Sequence, residues 1–177
     1  MTQEKRTNIP FFGNLNDDLH CFQATLKMIL KAFEPNRDYS WSELEECSEF
    51  RRDHWTWPTA SLIWLHRKGY NIRSIDSFNA RDFVDRGVEY FLEFYGPEVG
   101  KRQIEMCNID REIELLRRYL TEVEVPEVRE PTFQDVRALL NSGYVVYANI
   151  NSATLNGLHQ YVGHFVVILD VDLRHVK

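Results

Sequence analysis

The chain has 177 residues, 21 Lys and Arg against 27 Asp and Glu, and a formal net charge of −6 at pH 7. With 44% hydrophobic and 27% charged residues it has a globular composition at one-domain length, which excludes a disordered chain. The acidic balance argues against a nucleic-acid backbone as partner, and no apolar run approaches the ~20 residues of a membrane span. Met1–Arg6 leads into no apolar leader, so export is not expected. Cys21, Cys47 and Cys107 are odd in number, widely spaced and free of any C-x-x-C pair. That pattern predicts free thiols in a reducing, cytoplasmic setting.

In chain order, Pro10-Phe11-Phe12-Gly13 forms an aromatic arm and Asn14–His20 a polar loop. The next stretch places Phe22, Leu26, Ile29, Leu30 and Phe33 on one helical face, with Pro35 after its end. Cys21 therefore stands at a helix N-terminus, with Asp17 and Asp18 in the preceding loop placed to cap it. Ser40 and Glu43 have the spacing of a capping box for a second helix carrying Leu44 and Cys47. Thr56 and Pro58 open a third, which ends at Gly69. Tyr70–Ile75 alternates as a short strand. Asn79–Tyr95 is helical with a break at Gly87, and Gly96-Pro97 stops it. Ile104–Leu120 is a charged amphipathic helix, and a charged connector runs to Pro131.

Thr132 with Asp135 opens another helix, ended by Gly143, after which the period changes. Tyr144–Ile150 and His164–Val171 have the composition of buried strands, separated by a polar loop, with a further strand beginning over Leu173–Val176. Helices first and consecutive strands last predict an α+β fold with an antiparallel sheet.

Two residues combine into a chemistry. A helix N-terminus favours a thiolate, which lowers the pKa of Cys21 and makes it a nucleophile. Acyl transfer also needs a base, and His164 opens the strongest strand after Gly163. Cys47 and Cys107 lie on helical faces and are expected to be buried apolar side chains. His20, next to Cys21, is a rival base expected in solvent or bonded to its own loop. His159, His164 and Cys21 supply no evident fourth zinc ligand, so no metal and no cofactor are expected. Trp55 and Trp57 could line a cleft or fill a core.

Cys21-Phe22-Gln23-Ala24-Thr25-Leu26-Lys27-Met28-Ile29-Leu30 resembles the nucleophile helix of the bacteriocin-processing peptidase family, whose transporter-linked members cleave leader peptides after a double glycine. Thr132–Val146 resembles the family's helix–glycine–strand run, and Gly163-His164-Phe165-Val166-Val167-Ile168 its glycine–histidine strand. The resemblance implies a single papain-like domain over residues 1–177, with 79–131 as a family-variable helical insertion. It implies a stand-alone cysteine peptidase or amidase acting on a peptide or amide, with Cys21 as nucleophile and His164 as general base.

The chain departs from the family at three places. Phe22 stands where the family has a glycine after the nucleophile. Leu15 stands where it has the Gln that completes the oxyanion hole; Asn14 and Asn16 flank that position, and a one-residue difference in the loop lets Asn16 serve. The family's Asp-Pro lies about a hairpin beyond the His, and this sequence ends at Lys177, so the third member lies beyond it, is absent or is replaced. Asp170 is no substitute, since an extended strand carries it about 20 Å from His164. Two alternatives use the same residues: an acyltransferase, and a catalytically weak or inactive peptide-binding module.

Overall fold

The structure, a computed structural model, describes residues 8–171. The strand expected over Leu173–Val176 lies outside them. The described residues form eight helices and four strands, an α+β architecture.

The chain divides into two compact units, one formed by residues 1–44 with 132–177 and the other by Glu45–Pro131. The insertion expected at 79–131 falls inside the second unit. That unit begins earlier, at Glu45, and takes in the helix that runs from Thr59.

In the first unit, helix α1 (Cys21–Phe33) packs on strand β4 (Gly163–Ile168). β4 pairs antiparallel with β3 (Val146–Asn151) in a register that sets Tyr147 opposite Val167, Asn149 opposite Phe165 and Ile150 opposite His164. Directly opposed residues share a face and neighbours alternate, so Phe165 and Tyr147 lie on one face. The Phe22 ring meets both, at 5.0 Å and 6.3 Å between centroids, and so identifies that face as the one that receives α1. The loop expected between the strands contains one helical turn, Ser152–Leu155, because Asn151 Oδ1 caps it by accepting from Ala153 N–H.

α1 departs from the one-sided pattern expected of it. All nine residues from Phe22 to Leu30 are buried, polar Gln23, Thr25 and Lys27 included, whereas Phe33 is half exposed. Such a helix is interior along its length, so each buried polar group carries a desolvation cost unless it finds a partner. Helix α2 (Trp41–Cys47) follows, opened by the expected box: Glu43 Oε2 accepts from Ser40 N–H at 2.8 Å, and Glu43 N–H donates to Ser40 Oγ at 3.2 Å.

The second unit contains α3 (Thr59–Arg67), β1 (Ile75–Asp76), α4 (Ala80–Arg86), α5 (Val88–Met106), α6 (Ile109–Glu122) and β2 (Glu127–Val128). α6 packs against both α3 and α4. The core is aromatic: Trp57 stacks on Phe83 and Phe91 at 5.7 and 5.8 Å, and Phe78 meets Phe83, Tyr90 and Phe94 edge-on. Trp57 is thus core, not cleft, and its indole N–H donates to Cys107 Sγ at 3.2 Å. Of the strand expected over Tyr70–Ile75 only Ile75 lies in a strand, which it forms with Asp76 by pairing in parallel with Glu127 and Val128. In the first unit α7 (Phe133–Asn141) precedes β3, and its Thr132–Asp135 capping box is complete.

Candidate active site

Cys21 is the first residue of α1, where the opening N–H groups have no partner within the helix. Its sulfur lies against the backbone N–H of Phe165, and the N–H groups of Phe22 and of Cys21 itself also favour the thiolate. Phe165 directly follows His164, so the helix start and the strand start meet at one place. The two sequence-predicted residues are therefore brought to the same end of the α1–β4 contact.

Their chemistry differs from the expectation in one respect. Burial pushes the Cys21 thiol above its ordinary value, and the three N–H groups oppose this without reversing it. Removing the half-buried sulfur from water costs the charged form more than the helix start returns. His164 is half-buried on β4 opposite Ile150. Strand alternation sets it on the face away from Phe165. Among the described residues no hydrogen bond joins its ring to Cys21 Sγ.

The loop before Cys21 is built from its polar side chains. Asn14 Oδ1 accepts the His20 N–H at 2.8 Å, and Asp17 Oδ1 accepts the Leu19 N–H at 3.1 Å. Asp18 takes a positive φ of 58° as the chain turns and donates its N–H to the Leu15 carbonyl. His20 is not in solvent: it is 3% exposed, its Nδ1 lies 2.9 Å from Asp17 Oδ1, and its ring meets Trp41 edge-on at 6.0 Å. The bond to His20 holds the Asp17 carboxyl below its usual value. Asp17 and Asp18 therefore do not cap α1 directly, and the N-cap is His20, without a side-chain capping bond.

Of the two asparagines, Asn16 lies exposed in the turn, whereas Asn14 is anchored beside the nucleophile. The sequence singled out Asn16, because the path of the turn through Asp18, which leaves Asn16 exposed, is not legible from spacing alone. Cys107 is buried, with its thiol pushed up to about 12 chiefly by desolvation, which makes it a poor nucleophile. Cys47 is half-buried at the end of α2.

Among the described residues no group of three His, Cys, Asp or Glu side chains is placed to hold a metal ion, and no helix is long and apolar enough to cross a membrane. No family model, curated protein or solved structure matches the chain.

Proposed function

We propose that the chain is a papain-like cysteine peptidase or amidase that forms a thioester at Cys21, with His164 as general base. The observation that carries this reading is the meeting of the Cys21 sulfur with the Phe165 N–H, one residue from His164, where a buried helix starts on an antiparallel strand pair. Because burial favours the neutral thiol, the proton leaves as attack proceeds. The sulfur adds to the carbonyl carbon while His164 takes the thiol proton. The tetrahedral oxyanion is held by the Cys21 N–H and an asparagine amide. Asn14, pinned through its Oδ1, serves better than Asn16 and keeps its NH₂ for donation. Collapse expels the amine, which takes the proton from His164, and water then releases the acid by the reverse sequence.

Two observations favour a second reading, a peptide-binding module without turnover: burial raises the thiol pKa, and strand alternation sets His164 on the face away from the one that receives α1, with no hydrogen bond from its ring to the sulfur among the described residues. Incubation with a p-nitrophenyl acyl ester, followed by intact-mass and peptide mapping, separates the two. The enzyme reading expects a hydroxylamine-labile acyl group on Cys21, lost in Cys21→Ala and formed ~10²–10⁴-fold more slowly in His164→Ala. An acylation rate unchanged in His164→Ala would end the case for that base. No acylation of Cys21 at all would leave binding as the function. Release to an added amine in preference to water would make the protein an acyltransferase.

A further inference from the structure

We propose that Asp17, His20 and Asn14 form a positioning device for Cys21, an inference that rests on the reading of Cys21 as the reacting group. Three separate restraints converge on the single residue before it. Asn14 Oδ1 accepts the His20 N–H at 2.8 Å, Asp17 Oδ1 holds His20 Nδ1 at 2.9 Å, and the Trp41 ring bounds the imidazole edge-on at 6.0 Å. The direction of the bond to Asp17 follows from chemistry. An ionised carboxylate only accepts, and the bond to His20 holds Asp17 in its ionised form, so Nδ1 carries the proton and donates.

Ordinary capping does not account for this arrangement. An N-cap residue normally offers a side-chain oxygen to the N–H groups ahead of it, and His20 makes no such bond. Its ring is instead turned back into its own loop and is 3% exposed. Burying an imidazole beside a carboxylate carries a desolvation cost that an Asn or Ser cap would avoid. What the arrangement does secure is the backbone at His20. The peptide plane between His20 and Cys21 carries the Cys21 N–H, which faces the sulfur and is the donor available to an oxyanion. Clamping His20 from both its N–H and its ring fixes the direction of that donor before any substrate arrives. His20 does not touch the reacting atoms. It acts through the backbone and is a positioning residue, and Asp17 and Asn14 act through it.

The test is the second-order rate of iodoacetamide alkylation at each cysteine of the folded chain, resolved by peptide mass spectrometry, so that Cys47 and Cys107 serve as internal controls. The variants are Asp17→Ala, Asp17→Asn and His20→Leu. The Asn side chain still offers an oxygen to Nδ1–H, so Asp17→Asn is the conservative rescue. The expected result is a Cys21 rate lowered roughly fivefold or more in Asp17→Ala and His20→Leu, with Cys47 and Cys107 within about twofold and Asp17→Asn close to the parent. An unchanged or faster Cys21 rate in Asp17→Ala overturns the proposal. So does a common change at all three cysteines, the mark of general loosening, or Asp17→Asn as slow as Asp17→Ala. Should Asp17→Ala fail to fold, Asp17→Ser is scored in its place by the same criteria. Alkylation needs no substrate, so its outcome is independent of acyl transfer. Loss of acylation with these rates as expected would remove the enzyme reading and leave the positioning role, and the converse result would do the reverse.

Discussion

A lysine in the middle of a fully buried helix has to be housed, and Lys27 is. Its ammonium donates to the Tyr39 carbonyl at 2.7 Å, stands 3.4 Å from Asp38, and lies over the rings of Phe12 and Trp41 at 5.0 and 5.5 Å. Cation–π and charge-assisted bonds of this kind offset the desolvation of a cation. Lys27→Met keeps most of the stem and orphans the carbonyl, and should lower stability by about 1–3 kcal/mol, read as a lower urea midpoint at unchanged slope.

Glu112 is the opposite case. It belongs to the charged face of α6, where the sequence pattern marks it as solvated, yet its Oε2 is buried with no hydrogen-bond partner among the described residues. Desolvation pushes its carboxyl up to about 7 from an unfolded 4.5, with the nearby Glu49 charge adding to the effect and Thr59 and Arg111 opposing it. A carboxyl raised by folding binds more protons folded than unfolded. Its favourable contribution is complete below pH 4.5 and is lost as pH rises through about 7. The whole window is worth up to about 3 kcal/mol. Glu112→Gln should therefore unfold at nearly the same temperature as the parent near pH 4 and at a clearly higher one at pH 8. Parallel melting curves for the two proteins across that range would contradict the raised carboxyl. A one-dimensional charge pattern could not reveal Glu112, because i, i+3 and i, i+4 spacing gives the stripe of a helix but not how far its edge is covered.

At the scale of elements, what was legible is what local chemistry decides. Both capping boxes, Ser40–Glu43 and Thr132–Asp135, form with reciprocal hydrogen bonds, because four adjacent residues contain everything the motif needs. The helix start at Cys21 was legible for the same reason, and the antiparallel pairing of the last two strands because they follow one another in the chain. The misses involve continuation across a break. Gly96-Pro97 ends one helical segment, as expected, but helix resumes at once and runs to Met106, since proline is tolerated at the first position of a new helix. The charged stretch expected as one helix from Ile104 is split at Cys107, and Asn108 caps the new start by accepting from Arg111 N–H. Asn108 followed by Asp110 and Glu112 was the available signal.

Gly96 makes the break testable. Its φ of 76° and ψ of 166° fall in a region that side-chain-bearing residues scarcely enter, while nothing lies within 4 Å of a Cβ built there. Gly96→Ala should cost about 1–3 kcal/mol through backbone strain alone, without a clash. Thermal unfolding measures the loss. A neutral result would mean that the kink relaxes into a backbone conformation open to alanine before Pro97.

For the molecule as a whole, the two units differ in how their chains are assembled. The first joins residues 1–44 to 132–177 and holds Cys21 and His164 on segments separated by the entire second unit. Its α1–β4 contact spans more than 130 residues of sequence, and nothing in a local window could report it. The second unit is one continuous stretch, Glu45–Pro131, with its own aromatic core of Trp57, Phe78, Phe83, Tyr90 and Phe91. Contiguity and a private core are the properties of a segment able to fold alone. A fragment spanning 40–131 keeps the Ser40–Glu43 box that starts α2, and it retains the ion pair between Arg111 and Glu49 at 2.7 Å. It should give helical circular dichroism, a near-ultraviolet signal from the packed Trp57 ring, and a cooperative thermal transition. The complementary segments 1–44 and 132–177 share one sheet-and-helix core, so neither should show such a transition separately. A fragment 40–131 that has helical signal but no near-ultraviolet signal or cooperative melt would show that the aromatic cluster is ordered only within the complete chain.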